Sequence, residues 1–158
     1  MAIRDIIKIG DPILTKISRP AEINERTSQL LDDLTETMRQ FDGLGLAAPQ
    51  VGILRSVAVI RVDDTIIELI NPKIIAKRGK VVEYEGCLSI PELYGEVERP
   101  QSIFLGTYDR HGVFHKIKLE GMAARAACHE IDHLDGKLFV GVAKNIKEKS
   151  ALSDQTTK

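Results

Sequence analysis

Residues 129–133 read His-Glu-Ile-Asp-His inside an Ala-rich run from Gly121 to Asp135 that stops at Gly136. Alanine is the best helix former, and glycine is the residue most often found just past a helix C-terminus, so this run is predicted to be a helix. At about 100° per residue its two histidines sit about 40° apart on one face, where both imidazoles can reach one metal ion. Glu130 lies on the flank of the same face, within reach of exchanging protons with water at the metal, an arrangement that recurs in metallohydrolases. The plain alternative is an ordinary helix with surface His and Glu. A catalytic metal site takes three protein ligands and keeps one position open, so the rest of the chain has to fold a third ligand onto this helix.

The same helical wheel puts Met122 and Ala126 in the His129/His133 stripe, which gives an apolar, partly vacated surface suited to a small pocket. Cys128 projects about 120° away and reads as a buried small hydrophobe. Downstream ligands are scarce: HEIDHLDGKLF follows the metzincin spacing through Gly136 but offers Phe139 where the third histidine belongs. After Asp135 the remaining acids are Glu148 and Asp154. Upstream, Cys87 in Glu85-Gly86-Cys87-Leu88-Ser89 is the best candidate, with Gly86 allowing close approach. Two other readings of Cys87 stand beside it, a buried loop cysteine and a Cys/His nucleophile. A closed structural zinc would need a fourth ligand from His111, His115 or Cys128, but His111 belongs in a turn and His115 on a strand face. Glu85 and Arg99 flank the Cys87 segment and are expected to pair and hold it in place.

The chain has 158 residues, 43% of them hydrophobic and 28% charged, which suits one globular domain, expected over residues 1–149, with a flexible polar tail over 150–158. With only two cysteines a disulfide framework is excluded as an organising device. A formal charge of −1 removes the broad electrostatic footprint of a general nucleic-acid binder, and no stable nucleic-acid partner is expected. No apolar run approaches the length of a membrane span and no signal-peptide core follows Met1, so a cytoplasmic location is expected. From Asn24, a good N-cap, Leu30, Leu31, Leu34, Met38 and Phe41 recur at helical spacing and predict an amphipathic helix stopping near Gly43. Val57–Ile60 and Ile66–Ile70 flank Asp63-Asp64 as two strands about a turn, further strands are expected within Lys73–Glu85, and Ile103–Tyr108 with Val113–Glu120 predict a hairpin around residues 109–112. Val113, His115, Ile117 and Leu119 alternate onto one face. The layout is α+β: a single domain of antiparallel sheets packed around the HExxH helix, with an N-terminal amphipathic helix.

Three separated signatures, GLGLAAPQVG at 43–52, EGCLS at 85–89 and HEIDH at 129–133, together with the opening IIKIGDPIL, resemble the peptide deformylase family over the chain to about Val140. The resemblance implies Cys87, His129 and His133 as metal ligands, Glu130 as the acid/base, and an oxyanion site made by the Gln50 side chain and the Leu88 N–H. It implies metal-dependent hydrolysis that frees formate from formyl-methionine at the N-terminus of newly synthesised polypeptides. The peptide main chain would lie beside Gly45, and the methionine side chain would enter a pocket near Leu44, Gly86, Met122, Ala126 and His129. One iron(II) per chain is the expected cofactor, with zinc, nickel or cobalt also suited to one Cys and two His. Monomeric state and transient ribosome association belong to the same set of expectations. Two departures stand out: Cys128 occupies a position where many members have glutamine, and Tyr94 one where some offer arginine to the substrate backbone. An inactive deformylase-like metal-binding module and a metallopeptidase are the alternative readings, and the second lacks its downstream ligand.

Overall fold

The computed structural model describes residues 2–149, so the tail expected over 150–158 lies outside the described residues. Asn24 caps helix α1 (Glu25–Gln40), its side-chain oxygen accepting from the Thr27 N–H at 3.0 Å. Leu30, Leu31, Leu34 and Met38 form the buried face, whereas Phe41, last in the predicted stripe, is the half-exposed C-cap residue. The Ala-rich run forms α2 (Met122–Leu134). Gly136 just past it has φ 74°, and a Cβ there would come within 2.6 Å of the Thr15 carbonyl oxygen, so both conformation and packing require glycine.

The described strands are β1 (Gly45–Ala47), β2 (Val57–Val62), β3 (Thr65–Arg78), β4 (Val81–Cys87), β5 (Ile90–Arg99), β6 (Ser102–Tyr108), β7 (Phe114–Glu120) and β8 (Lys144–Glu148). All their pairings are antiparallel and build a five-stranded sheet, β1-β2-β3-β6-β7, and a three-stranded sheet, β4-β5-β8. In β2, Val57 and Val59 join the core under α1, while Ala58 and Ile60 join the core with α2. Successive side chains leave opposite faces of a strand, so an unbroken apolar run here reports a strand covered on both sides. The first sheet therefore separates the helices, and the small side chains of Ala124, Ala126 and Ala127 pack α2 into its inner face.

Both predicted hairpins form, β2–β3 about Asp63-Asp64 and β6–β7 about residues 109–112. Val113 precedes β7 and belongs to the turn, its carbonyl accepting from the Asp109 N–H. Ile117 and Leu119 face the core as their alternation requires, whereas His115 is half exposed and bound to Asp109 at 2.7 Å. In the second sheet a two-residue turn, Leu88-Ser89, reverses β4 into β5 and fixes Cys87 opposite Ile90. A small core of Cys87, Ile90, Val97 and Phe139 lies beneath this turn.

Candidate active site

The strand end and the helix meet at three side chains. Cys87 Sγ lies 3.2 Å from His133 Nε2, which is 3.1 Å from His129 Nε2, and one ligand atom from each residue falls within 4.8 Å of the others. Cys87 and His133 are buried, and His129 has 11% of its side chain exposed. A thiolate and two imidazole nitrogens converging on one point fit a divalent transition metal with a fourth position left open. Neither His111, His115 nor Cys128 joins them: His115 is held by Asp109, and Cys128 packs in the α2 core, where burial pushes its thiol up. Burial likewise holds His133 well below the usual histidine range, which favours the neutral imidazole that a metal requires.

The carboxylate of Glu85 accepts from His129 Nδ1 at 2.8 Å, which leaves Nε2 for a metal. Arg99 grips the same carboxylate with two donors, at 2.9 and 3.0 Å, and reaches Asp132 at 2.6 Å. Arg125 adds a fourth donor at 2.6 Å and also binds the carbonyls of Val97 and Val81. The expected Glu85–Arg99 pair is thus present and belongs to a buried cluster, with the side chains of Glu85, Arg99 and Arg125 only 5–8% exposed. Burial opposes ionisation of Glu85, but hydrogen bonds from His129 and Arg99 outweigh it and hold the carboxyl down to about 2. The sequence reading did not include Arg125 and Asp132 in this cluster. Their signal was there: Arg125 stands four residues before His129 and Asp132 three after it, on one side of the helix.

Glu130 is 3% exposed, its Oε1 has no hydrogen-bond partner, and burial pushes its carboxyl up to about 7. It packs directly on β1, where a Cβ at Gly45 would stand 2.4 Å from Oε2. Gln50 is 1% exposed and its amide is pinned at both ends: Oε1 accepts from the Ala47 N–H, and Nε2 donates to Ser89 Oγ at 3.1 Å and Cys87 Sγ at 3.5 Å. Ser89, which the sequence places in the Cys87 segment without assigning it a role, orients Gln50 together with the Ala47 N–H. A cavity of about 360 Å³ opens over these groups. Leu44, Gly45, Gly86, Leu88, Met122 and Ala126 all line it, so the structure gathers every substrate-side residue that the sequence nominated. Tyr94 is buried and packs edge-on against Tyr84 with ring centroids 5.3 Å apart.

The family model for polypeptide deformylase matches residues 3–149. The chain belongs to the polypeptide deformylase family. The peptide deformylase of Caldanaerobacter subterraneus subsp. tengcongensis is 50% identical to it over 153 residues, covering 96% of each chain. The crystal structure of peptide deformylase from Thermotoga maritima matches with a TM-score of 0.88 at 37% identity, over 91% of this chain and 99% of that one. A class I type b peptide deformylase from Acinetobacter baumannii, crystallised with Met-Ala-Ser bound, matches with a TM-score of 0.85 at 30% identity, over 89% and 98%. This deformylase-family chain is accordingly a metal-dependent hydrolase that removes the formyl group from N-terminal methionine, and the metallopeptidase and inactive-module readings are not favoured.

The Gly45 contact gives the deformylase site a sharp steric test. Gly45→Ala has to push Glu130 aside by about an ångström, and displacements of that size cost about a hundredfold in rate. Steady-state kinetics are expected to show that loss in kcat, with thermal unfolding of the variant showing it folded; full activity would mean that Glu130 swings freely.

Proposed function

We propose that Cys87, His129 and His133 hold one divalent metal, iron(II), and that Glu130, Gln50 and Leu88 carry out deformylation beside it. The observation that carries this reading is the convergence of three ligand atoms next to a buried carboxylate with an unpartnered oxygen. A metal in that position polarises the formyl carbonyl and lowers the pKa of water. Glu130 takes the proton from the attacking water and delivers it to the methionine nitrogen as the C–N bond breaks, leaving formate and a free amine. Gln50 keeps one Nε2–H on Ser89 Oγ and gives the other, which makes the long 3.5 Å contact to Cys87 Sγ, to the carbonyl oxygen as that oxygen gains charge; the Leu88 N–H, in the turn after Cys87, donates to it as well.

The peptide binds as an added strand on β1, whose position at the sheet edge beside the cavity supports this mode. The flexible, unbranched methionine side chain enters between Leu44, Gly86, Met122, Ala126 and His129. We place this activity in one catalytic domain over residues 1–149, in a cytoplasmic monomer that meets the ribosome only transiently. A near-zero formal charge supports the lack of a stable nucleic-acid partner, and no helix among the described residues is long and apolar enough to cross a membrane.

Formate release from formyl-Met-Ala-Ser by anaerobically purified protein, with metal content measured on the same sample, tests the reading. One iron per chain and formate release that fades in air, but persists longer with nickel or cobalt, is the expected result. Fully metallated protein that releases no formate would overturn the activity, and equal aerobic lifetimes for all metals would overturn iron(II).

A further inference from the structure

The cavity is bordered by several charged side chains, and most of them already have fixed partners. Glu85 and Arg125 bind each other, with Arg125 directing its other donors to the Val81 and Val97 carbonyls. Asp42, at the rim, pairs with Arg61. Lys149 is different, because no ion pair among the described residues engages it, and it lines the cavity without belonging to the cluster around His129. The fold places it there through β8, which pairs with β5 so that Leu93 faces Glu148 and Tyr94 faces Lys147. From the residue after this strand the Lys149 side chain reaches Gly86 on β4, its Cε and Nζ both 3.8 Å from the position of a Cβ there. The ammonium is thus carried to the wall of the cavity past β5, the middle strand of the second sheet.

We infer that Lys149 is a specificity-determining residue, whose ammonium at the cavity wall favours formyl-methionine peptides bearing a carboxylate within the next two residues. This rests on the deformylase reading above. With the formyl group at the Cys87, His129 and His133 end, the main chain along Gly45 and the methionine side chain against the inner side of Gly86, the part of the peptide that follows methionine leaves the cavity past Lys149, on the outer side of Gly86. Tyr94 cannot serve this purpose, since its ring is buried beneath Tyr84. A solvent-facing ammonium acts as a point charge and attracts a carboxylate without fixing its geometry, so the effect belongs in KM.

The test compares kcat/KM for formyl-Met-Ala-Asp-amide and formyl-Met-Ala-Asn-amide, two peptides of one shape and different charge. The wild-type enzyme is expected to favour the Asp peptide by about three- to fivefold at low ionic strength, through KM. That preference should shrink in about 0.5 M salt, persist in Lys149→Arg, vanish in Lys149→Ala and reverse in Lys149→Glu. Formate release with the same ratio in wild type and Lys149→Glu, or a ratio that resides in kcat, would overturn the role of Lys149 alone. Absence of formate from both peptides with the metallated wild type would overturn the deformylase reading as well.

Discussion

Replacing Glu130 with Gln is expected to lower kcat by about 10² to 10⁴-fold while the metal stays bound at the wild-type level. The substitution keeps the shape that fits against Gly45 and leaves Cys87, His129 and His133 untouched. It removes the group that burial has pushed up to about 7, where a carboxyl can both take and return a proton near neutral pH. The same burial makes a stability prediction with a definite sign. A carboxyl whose folded pKa lies above its unfolded value of 4.5 favours the fold when protonated, and it costs stability as pH rises past 4.5 toward 7. Metal-free Glu130→Gln should therefore gain on metal-free wild type with rising pH, reaching about 3 kcal/mol above pH 7. Urea denaturation of the metal-free proteins at pH 5 and pH 8, with metal analysis and kinetics on the metal-loaded ones, reads all three quantities. A metal-loaded variant within tenfold of wild-type kcat would remove Glu130 from proton transfer.

The two helices and both predicted hairpins were legible because each has a local period and a local punctuation mark. Asn24 starts α1, Gly136 ends α2, and Asp63-Asp64 and residues 109–112 turn the hairpins. β1 is three residues long, too short to show alternation. β5 contains Pro91 and Gly95, both ordinarily strand breakers, and β8 is exposed along its whole length and has no apolar face to reveal it. The site divides the same way. His129, Glu130 and His133 share one helical turn, so their spacing alone announces the chemistry, whereas Cys87 reaches them only through the β4–β5 turn. The Glu85–Arg99 pair was legible because both residues flank Cys87; only folding shows that Arg125, from α2, joins them on one carboxylate out of water. Lys149 escapes sequence reasoning for the same reason, since its approach to Gly86 depends on β8, which the pattern does not disclose.

Glu85→Ala should be the most destabilising single change in the site. It leaves two buried guanidinium groups without their shared counter-ion, and breaking a buried pair from one side costs about 3 to 5 kcal/mol. His129 simultaneously loses the acceptor that fixes its ring, which typically weakens metal binding by about 10- to 100-fold. Arg99→Ala should be milder, because Arg125 still holds the carboxylate, although Asp132 loses its tie to β5. The pH dependence separates the carboxylate's charge from its packing. A carboxyl held down to about 2 contributes stability that is fully present above its unfolded pKa of 4.5 and is lost as pH falls toward 2. Wild type should lose about 3 kcal/mol through this group across that window, and Glu85→Ala should lack that component of the acid limb. Denaturant unfolding at pH 7 and pH 3, with metal affinity measured by competition at pH 7, distinguishes the effects. If Glu85→Ala matches wild-type stability at pH 7 yet binds metal poorly, the cluster orients His129 without stabilising the fold. If both stability and affinity survive, Arg99 and Arg125 are satisfied by water and the Val81 and Val97 carbonyls, and the Cys87 strand is held by its turn alone.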